Sequence, residues 1–220
     1  MPSPWRNRLI WGAMILLLVV LAFKTRDHFE IYFAGVGKLD IRPVPGDDTL
    51  YLSWRGKIDA PMASRIAEAF ERHKGEAHKI ILSLSSPGGS LDQGADVARL
   101  LGRIRQTHSL VTLVETGGIC ASMCVPIYLQ GQLRLAAPGA EFMFHEVAFR
   151  DFFSKKRDSS VPEKAIGSET DRFFEKYFEA AGVPQSWINS VRAQMTGGHE
   201  VWKTARELVD EHADIVQQLI

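Results

Sequence analysis

Gly117-Gly118-Ile119-Cys120-Ala121-Ser122-Met123-Cys124 places one hydroxyl among small residues, between two apolar stretches. Residues 110–114 before it read as a β-strand, and residues 120–129 read as a helix. A serine in the first turn of a helix stands beside free backbone N–H groups and the positive end of the helix dipole. A hydroxyl becomes a nucleophile only when a base takes its proton, and it also needs donors aimed at the oxyanion that forms. Position alone does not separate such a serine from a small residue packing a helix start.

Working outward, Ser85-Ser86-Pro87-Gly88-Gly89-Ser90 ends another apolar strand, residues 79–84. Glycines at a strand end let backbone approach a ligand closely and turn N–H groups into a cleft. Ser90 with Gln93 has the capping-box pattern, so a helix should follow with Leu91, Ala95, Ala98 and Leu101 on one side. On the other flank, Glu141-Phe142-Met143-Phe144-His145 is a short apolar strand that ends on a histidine. A neutral imidazole accepts a proton near pH 7. The three segments together offer a nucleophile, N–H donors and a base.

The rest of the chain alternates strands and helices, which predicts an α/β fold. Residues 49–54 alternate with period two, as a strand does, and residues 61–73 carry a helical stripe of Met62, Ile66, Ala69 and Phe70. Short strands are expected at 133–136 and 142–144. Helices are expected at 163–181, 185–195 and 204–212. Phe173, Phe174 and Tyr177 have helical spacing and read as core or subunit contacts. Residues 147–167 hold Phe149, Phe152 and Phe153 beside Lys155-Lys156-Arg157, a solvated loop or a contact with a membrane or partner. Residues 27–48, with their Gly and Pro, read as a linker, so the domain is expected to span 49–220.

Residues 49–216 resemble the Clp protease proteolytic subunit family, within the wider Clp/crotonase fold. The resemblance runs through Gly56-Lys57-Ile58, Ser86-Pro87-Gly88-Gly89, Gly118-Ile119-Cys120-Ala121-Ser122-Met123 and Phe142-Met143-Phe144-His145, in order and at similar spacing. It implies a spiral of β-β-α units and a serine peptidase. It also implies Ser122 as nucleophile, His145 as general base, and the N–H groups of Gly89 and Met123 as oxyanion hole. The segment after Gly89 corresponds to the edge on which a peptide substrate lies as an added strand. The family's third triad member is an aspartate shortly before the last helix. This chain reads Thr196-Gly197-Gly198-His199-Glu200-Val201-Trp202 there, with His199 in register and Glu200 one residue away. Glu200 is the expected carboxylate. His199, or no third member at all, stays open, and with it the reading of a Clp-fold binding protein that no longer cleaves. A crotonase-type acyl-CoA enzyme shares the architecture, but its chemistry needs no serine in this block.

Cys120 and Cys124 bracket Ser122 and are the chain's two cysteines. Four apart on a helix, their Cα atoms would be roughly 6 Å apart, inside the disulfide range. A disulfide and a pair of buried thiols both fit. A zinc site would need distant histidines, and no metal or cofactor is expected.

Leu9 to Phe23 reads LIWGAMILLLVVLAF without a charge and is flanked by Arg6, Arg8, Lys24 and Arg26. It is short of the roughly twenty residues that span a bilayer, but Trp5, Trp11 and snorkelling Arg8 and Lys24 extend its reach. Residues 1–26 are therefore expected to be a transmembrane signal anchor. A cleaved signal peptide and a soluble apolar arm are the rivals. The domain would then lie on the extracytoplasmic, periplasmic side. Lys+Arg and Asp+Glu number 26 each, so nothing draws the chain to nucleic acid. The expected partners are a peptide or protein substrate, the membrane and further copies of the chain. An ATP-driven unfoldase, which serves family members, would find no ATP on that side and is not expected.

Overall fold

In the computed structural model, residues 37–59, 61–147 and 162–220 are described. The apolar segment at 9–23, and with it the expected anchor, lies outside them, as does the aromatic-basic stretch at 149–157. Among the described residues no helix is long and apolar enough to cross a membrane.

The larger sheet grows from three apolar runs, β2 (Thr49–Arg55), β3 (Lys79–Ser85) and β4 (Ser109–Val114). They pair in parallel, and most of their residues are buried on both faces, as the interior strands of a parallel sheet require. β6 (Leu133–Ala136) and β9 (Gln218–Leu219) extend it in parallel on one side, and β1 (Lys38–Pro43) closes the other antiparallel to β2. This corrects the linker expected over 27–48. Its second part is an edge strand in full register with β2, and the domain begins before residue 49.

Three helices have their apolar faces in the core beside this sheet. α1 (Met62–His73) buries Met62, Ile66, Ala69 and Phe70, the predicted stripe. α2 (Leu91–Ile104) starts at Ser90, whose hydroxyl accepts the Gln93 N–H at 3.3 Å. Its buried residues are Gly94, Val97, Ala98, Leu100, Leu101 and Ile104; Ala98 and Leu101 of the expected stripe are among them, while Ala95 is half-buried and Leu91 exposed. α3 (Cys124–Tyr128) is a five-residue helix, buried throughout.

The smaller sheet has the order β5 (Ile119–Ala121), β7 (Glu141–Phe144), β8 (Val201–Thr204). β5 and β7 are parallel; β7 and β8 are antiparallel. The chain order β1-β2-α1, β4-β5-α3, β6-β7-α4 repeats a β-β-α unit, α4 being Glu163–Tyr177. A single bridge between Ser86 and Cys120 joins the end of β3 to the smaller sheet. Two helices complete the core, α5 (Gln185–Met195) and α6 (Ala205–Asp210).

The C-terminal segment is held by one buried cation. Arg134, on β6, donates from Nη2 to the Asp214 carbonyl at 2.7 Å and from Nε to the Ile215 carbonyl at 2.9 Å. Burial lowers its pKa from the ordinary arginine value, and the carbonyl dipoles replace lost hydration.

Candidate active site

β5 ends at Ala121 and α3 begins at Cys124, so Ser122 and Met123 form the whole connection. The expected helix from residue 120 is shorter, because Cys120 belongs to a strand. Ser122 has φ 55°, a left-handed backbone that costs a non-glycine residue roughly 1–2 kcal/mol. Three bonds hold it there. Ala121 N–H donates to Ser86 O at 2.9 Å, Ser122 N–H to Met143 O at 2.8 Å, and Val125 N–H to Ser122 O at 3.0 Å. The turn thrusts a half-buried hydroxyl out of the connection rather than laying it along a helix.

β7 runs parallel to β5 and delivers His145 one residue beyond its end. Ser122 Oγ and His145 Nε2 are 2.8 Å apart. His145 Nδ1 lies 2.5 Å from the backbone carbonyl oxygen of Glu146. A carbonyl only accepts, so Nδ1 carries the proton, and Nε2 is left with a lone pair facing the serine. The ring is thereby set as a base toward Ser122.

Glu200 is not behind the imidazole, which corrects the expected triad. Its Oε2 accepts the indole Nε1–H of Trp202 at 3.1 Å on the exposed side of β8. The cause is local: β8 pairs Val201 with Phe144, and Glu200 lies just before that pairing starts. His199 instead closes the turn after α5, its N–H donating to Met195 O at 3.0 Å.

The glycine turn packs directly on Ser122. A Cβ on Gly88, which has φ 90°, would lie 2.8 Å from both Ala121 O and Ser122 Cβ. A Cβ on Gly89 would lie 2.2 Å from Ile58 O. Ile58 N–H donates to Gly88 O at 2.8 Å, and Ile58 O accepts Ser90 N–H at 2.8 Å. That bridge uses the groups on either side of Gly89, whose own N–H has no acceptor among the described residues. The Met123 N–H, at the start of α3, likewise has no acceptor among the described residues. Ser86, fully buried, ties the two turns together. Its Oγ accepts the Gly88 N–H at 3.1 Å, and its own N–H donates to Ile119 O at 2.6 Å. Its place in the Ser-Pro-Gly-Gly string was visible in the sequence, but its role as a brace was not.

Beside Ser122 and His145 opens a narrow apolar cleft. Leu91, Met143, Val147, Phe173, Phe174 and Phe178 form its walls. The phenylalanines read from the sequence as core therefore also shape the site. Phe174 and Phe178 stack with centroids 4.3 Å apart, and Phe144 and Phe178 meet edge to face at 6.1 Å. The sign of this in the sequence was the helical pairing of Phe173-Phe174 with Phe178, on the element that follows His145.

Cys120 and Cys124 are joined by a disulfide, with Cα atoms 5.1 Å apart. It spans strand to helix across Ser122 rather than one helical turn.

Residues 51–209 match the Clp protease family model. Among solved structures the chain is similar to a ClpP1 mutant from Listeria monocytogenes, with a TM-score of 0.59 and 19% identity. That likeness covers 79% of this chain and 91% of the Listeria chain. A search of curated proteins finds no match. The family match takes in Ser86 to Gly89, Ser122 and His145 together, and on it the chain belongs to the Clp protease family.

Proposed function

We propose that this chain is a membrane-anchored serine peptidase of the Clp fold that works through a Ser122–His145 pair. The observation that carries it is the 2.8 Å approach of His145 Nε2 to Ser122 Oγ, with the ring's other nitrogen fixed as a donor. Ser122 Oγ attacks the peptide carbonyl while its proton passes to His145 Nε2. The oxyanion is received by the Gly89 and Met123 N–H groups. His145 returns the proton to the leaving amine, and water then releases the acyl group by the same route. Membership of the Clp protease family supports peptide-bond chemistry. The apolar cleft beside Ser122 favours an apolar residue on the acyl side of the scissile bond. Among the described residues the imidazolium is steadied by a carbonyl dipole rather than a full charge, and on this reading the peptidase is a slow one.

A binding protein that keeps the fold without cleaving is the second reading, and it is favoured by the backbone carbonyl, rather than a carboxylate, that His145 Nδ1 meets among the described residues. Hydrolysis of an unfolded protein by the full chain decides between them. Cleavage that is lost in Ser122→Ala supports the peptidase; none above the Ser122→Ala background supports the binding protein.

We place the domain outside the cytoplasmic membrane, held by residues 1–26 and assembled as a small homo-oligomer without an ATP-driven unfoldase. The uncharged run at 9–23 and a disulfide in the core support this, since disulfides persist in oxidising compartments. A C-terminal topology reporter that reads cytoplasmic would overturn it.

A further inference from the structure

The elements on either side of Ser122 are too short to hold its left-handed backbone by themselves. β5 has three residues and α3 has five, one of them Pro126. A helix of that length is not self-supporting. Met123 already has a right-handed backbone, so the easiest relaxation is for Ser122, and Ala121 with it, to become right-handed too and extend α3 backward. That swings Ser122 Oγ away from His145 and turns the Met123 N–H along the helix axis.

The disulfide stands across that motion. It ties the middle residue of β5 to the first residue of α3, with Ser122 halfway between. Its strand end is itself anchored. Cys120 is in register with Phe142 on β7 and bridges Ser86 at the end of β3. Both cysteines are fully buried, so the crosslink forms as the domain folds and bulk reductant does not reach it in the native state. This differs from a surface disulfide that responds to ambient thiols.

We propose that the Cys120–Cys124 disulfide is a positioning element for the nucleophile. It holds the Ser122–Met123 turn open so that Oγ faces His145 and the Met123 N–H faces the oxyanion. The inference rests on the peptidase reading of Ser122. Losing the crosslink misplaces both groups together, and displacement of about 1 Å costs about a hundredfold in rate. Peptide binding uses the Gly89 edge and the aromatic cleft, neither of which the crosslink touches.

The test compares the oxidised full chain with Cys120→Ala/Cys124→Ala. A second sample is wild type unfolded, reduced by dithiothreitol, alkylated on both thiols and refolded. Dithiothreitol supplies the two electrons and two protons that convert the disulfide to two thiols, and is itself oxidised to a cyclic disulfide. Readouts are kcat and KM on an unfolded peptide, the rate of labelling by a fluorophosphonate, and circular dichroism. Expected are a folded double variant, kcat and labelling down about a hundredfold, and KM within about threefold of wild type. Equal kcat and labelling in the folded double variant would overturn the positioning role and leave the peptidase standing. A double variant that is unfolded at the assay temperature makes the bond purely structural and overturns it too. An oxidised wild type that neither labels nor cleaves removes the peptidase reading, and the positioning role with it.

Discussion

The imidazole of His145 is oriented by its own chain neighbour: Nδ1 donates to the carbonyl oxygen of Glu146 at 2.5 Å. A carbonyl fixes the tautomer as a carboxylate does, but it brings a dipole instead of a charge. The carboxylate that the sequence offered, Glu200, is engaged by Trp202. Glu200→Gln should therefore leave kcat within about twofold, whereas loss of a true triad carboxylate costs about ten-thousandfold. A steady-state comparison of wild type and variant on one peptide checks this, and a thousandfold fall would restore Glu200 to the triad.

Gly88 has no room for a side chain. A methyl group there meets Ala121 O and Ser122 Cβ at 2.8 Å each, and the backbone has φ 90°. Gly88→Ala should cost about 1–3 kcal/mol of stability through backbone strain and lower kcat about a hundredfold by displacing the nucleophile. Thermal melts and turnover, measured on the same preparation, check both parts. A variant as active as wild type would place the turn further from Ser122 than described.

Gly94 on α2 makes a notch for the side chain of Met123. A Cβ at Gly94 would lie 2.2 Å from Met123 Cγ. Gly94→Ala should push Met123, and with it the N–H proposed for the oxyanion, lowering kcat about tenfold or more. Adding Met123→Ala removes the clash, and the double variant should recover part of that loss. Additive losses in this double-mutant cycle would show that the two positions do not couple.

Phe173 is partly buried on the cleft wall. Phe173→Ala should widen the cleft and reduce its preference for an apolar side chain next to the scissile bond. Losing the contacts of one aromatic group in a pocket changes the ratio of kcat/KM values by about tenfold or more. Matched peptides with leucine or aspartate at that position read the ratio. An unchanged ratio would move the specificity pocket elsewhere.

Arg134 is a stability prediction independent of chemistry. Arg134→Met keeps the volume and removes the bonds to the Asp214 and Ile215 carbonyls. Leaving those carbonyls without their donor should cost about 3 kcal/mol. Chemical denaturation measures it, and a change under about 0.5 kcal/mol would mean that water replaces the guanidinium without loss.

The interior strands were legible because their residues do one thing. Ile80, Leu82 and Leu84 of β3, and Leu110 and Val114 of β4, are buried in a parallel sheet and read as apolar runs. Ser122 and His145, the proposed nucleophile and base, stood out through their flanking motifs. Edge and short elements were not. β1, KLDIRP, sits between glycines and prolines that mimic a tether, and its pairing with β2 is a long-range fact. β5 has three residues, too few to show a period, so Cys120 and Ala121 merged into the helix that follows. The left-handed turn at Ser122 is invisible in a residue type that seldom adopts it. The partner of His145 Nδ1 is a backbone carbonyl, which every residue possesses, so no side-chain pattern could point to it.

The most direct measurement of the central claim is the site of covalent capture. The full chain is treated with a fluorophosphonate, digested and sequenced by mass spectrometry. The account predicts one adduct, on Ser122, formed at a rate that falls at least a hundredfold in His145→Ala. An adduct on another residue, or labelling of Ser122 that is indifferent to His145, would contradict it.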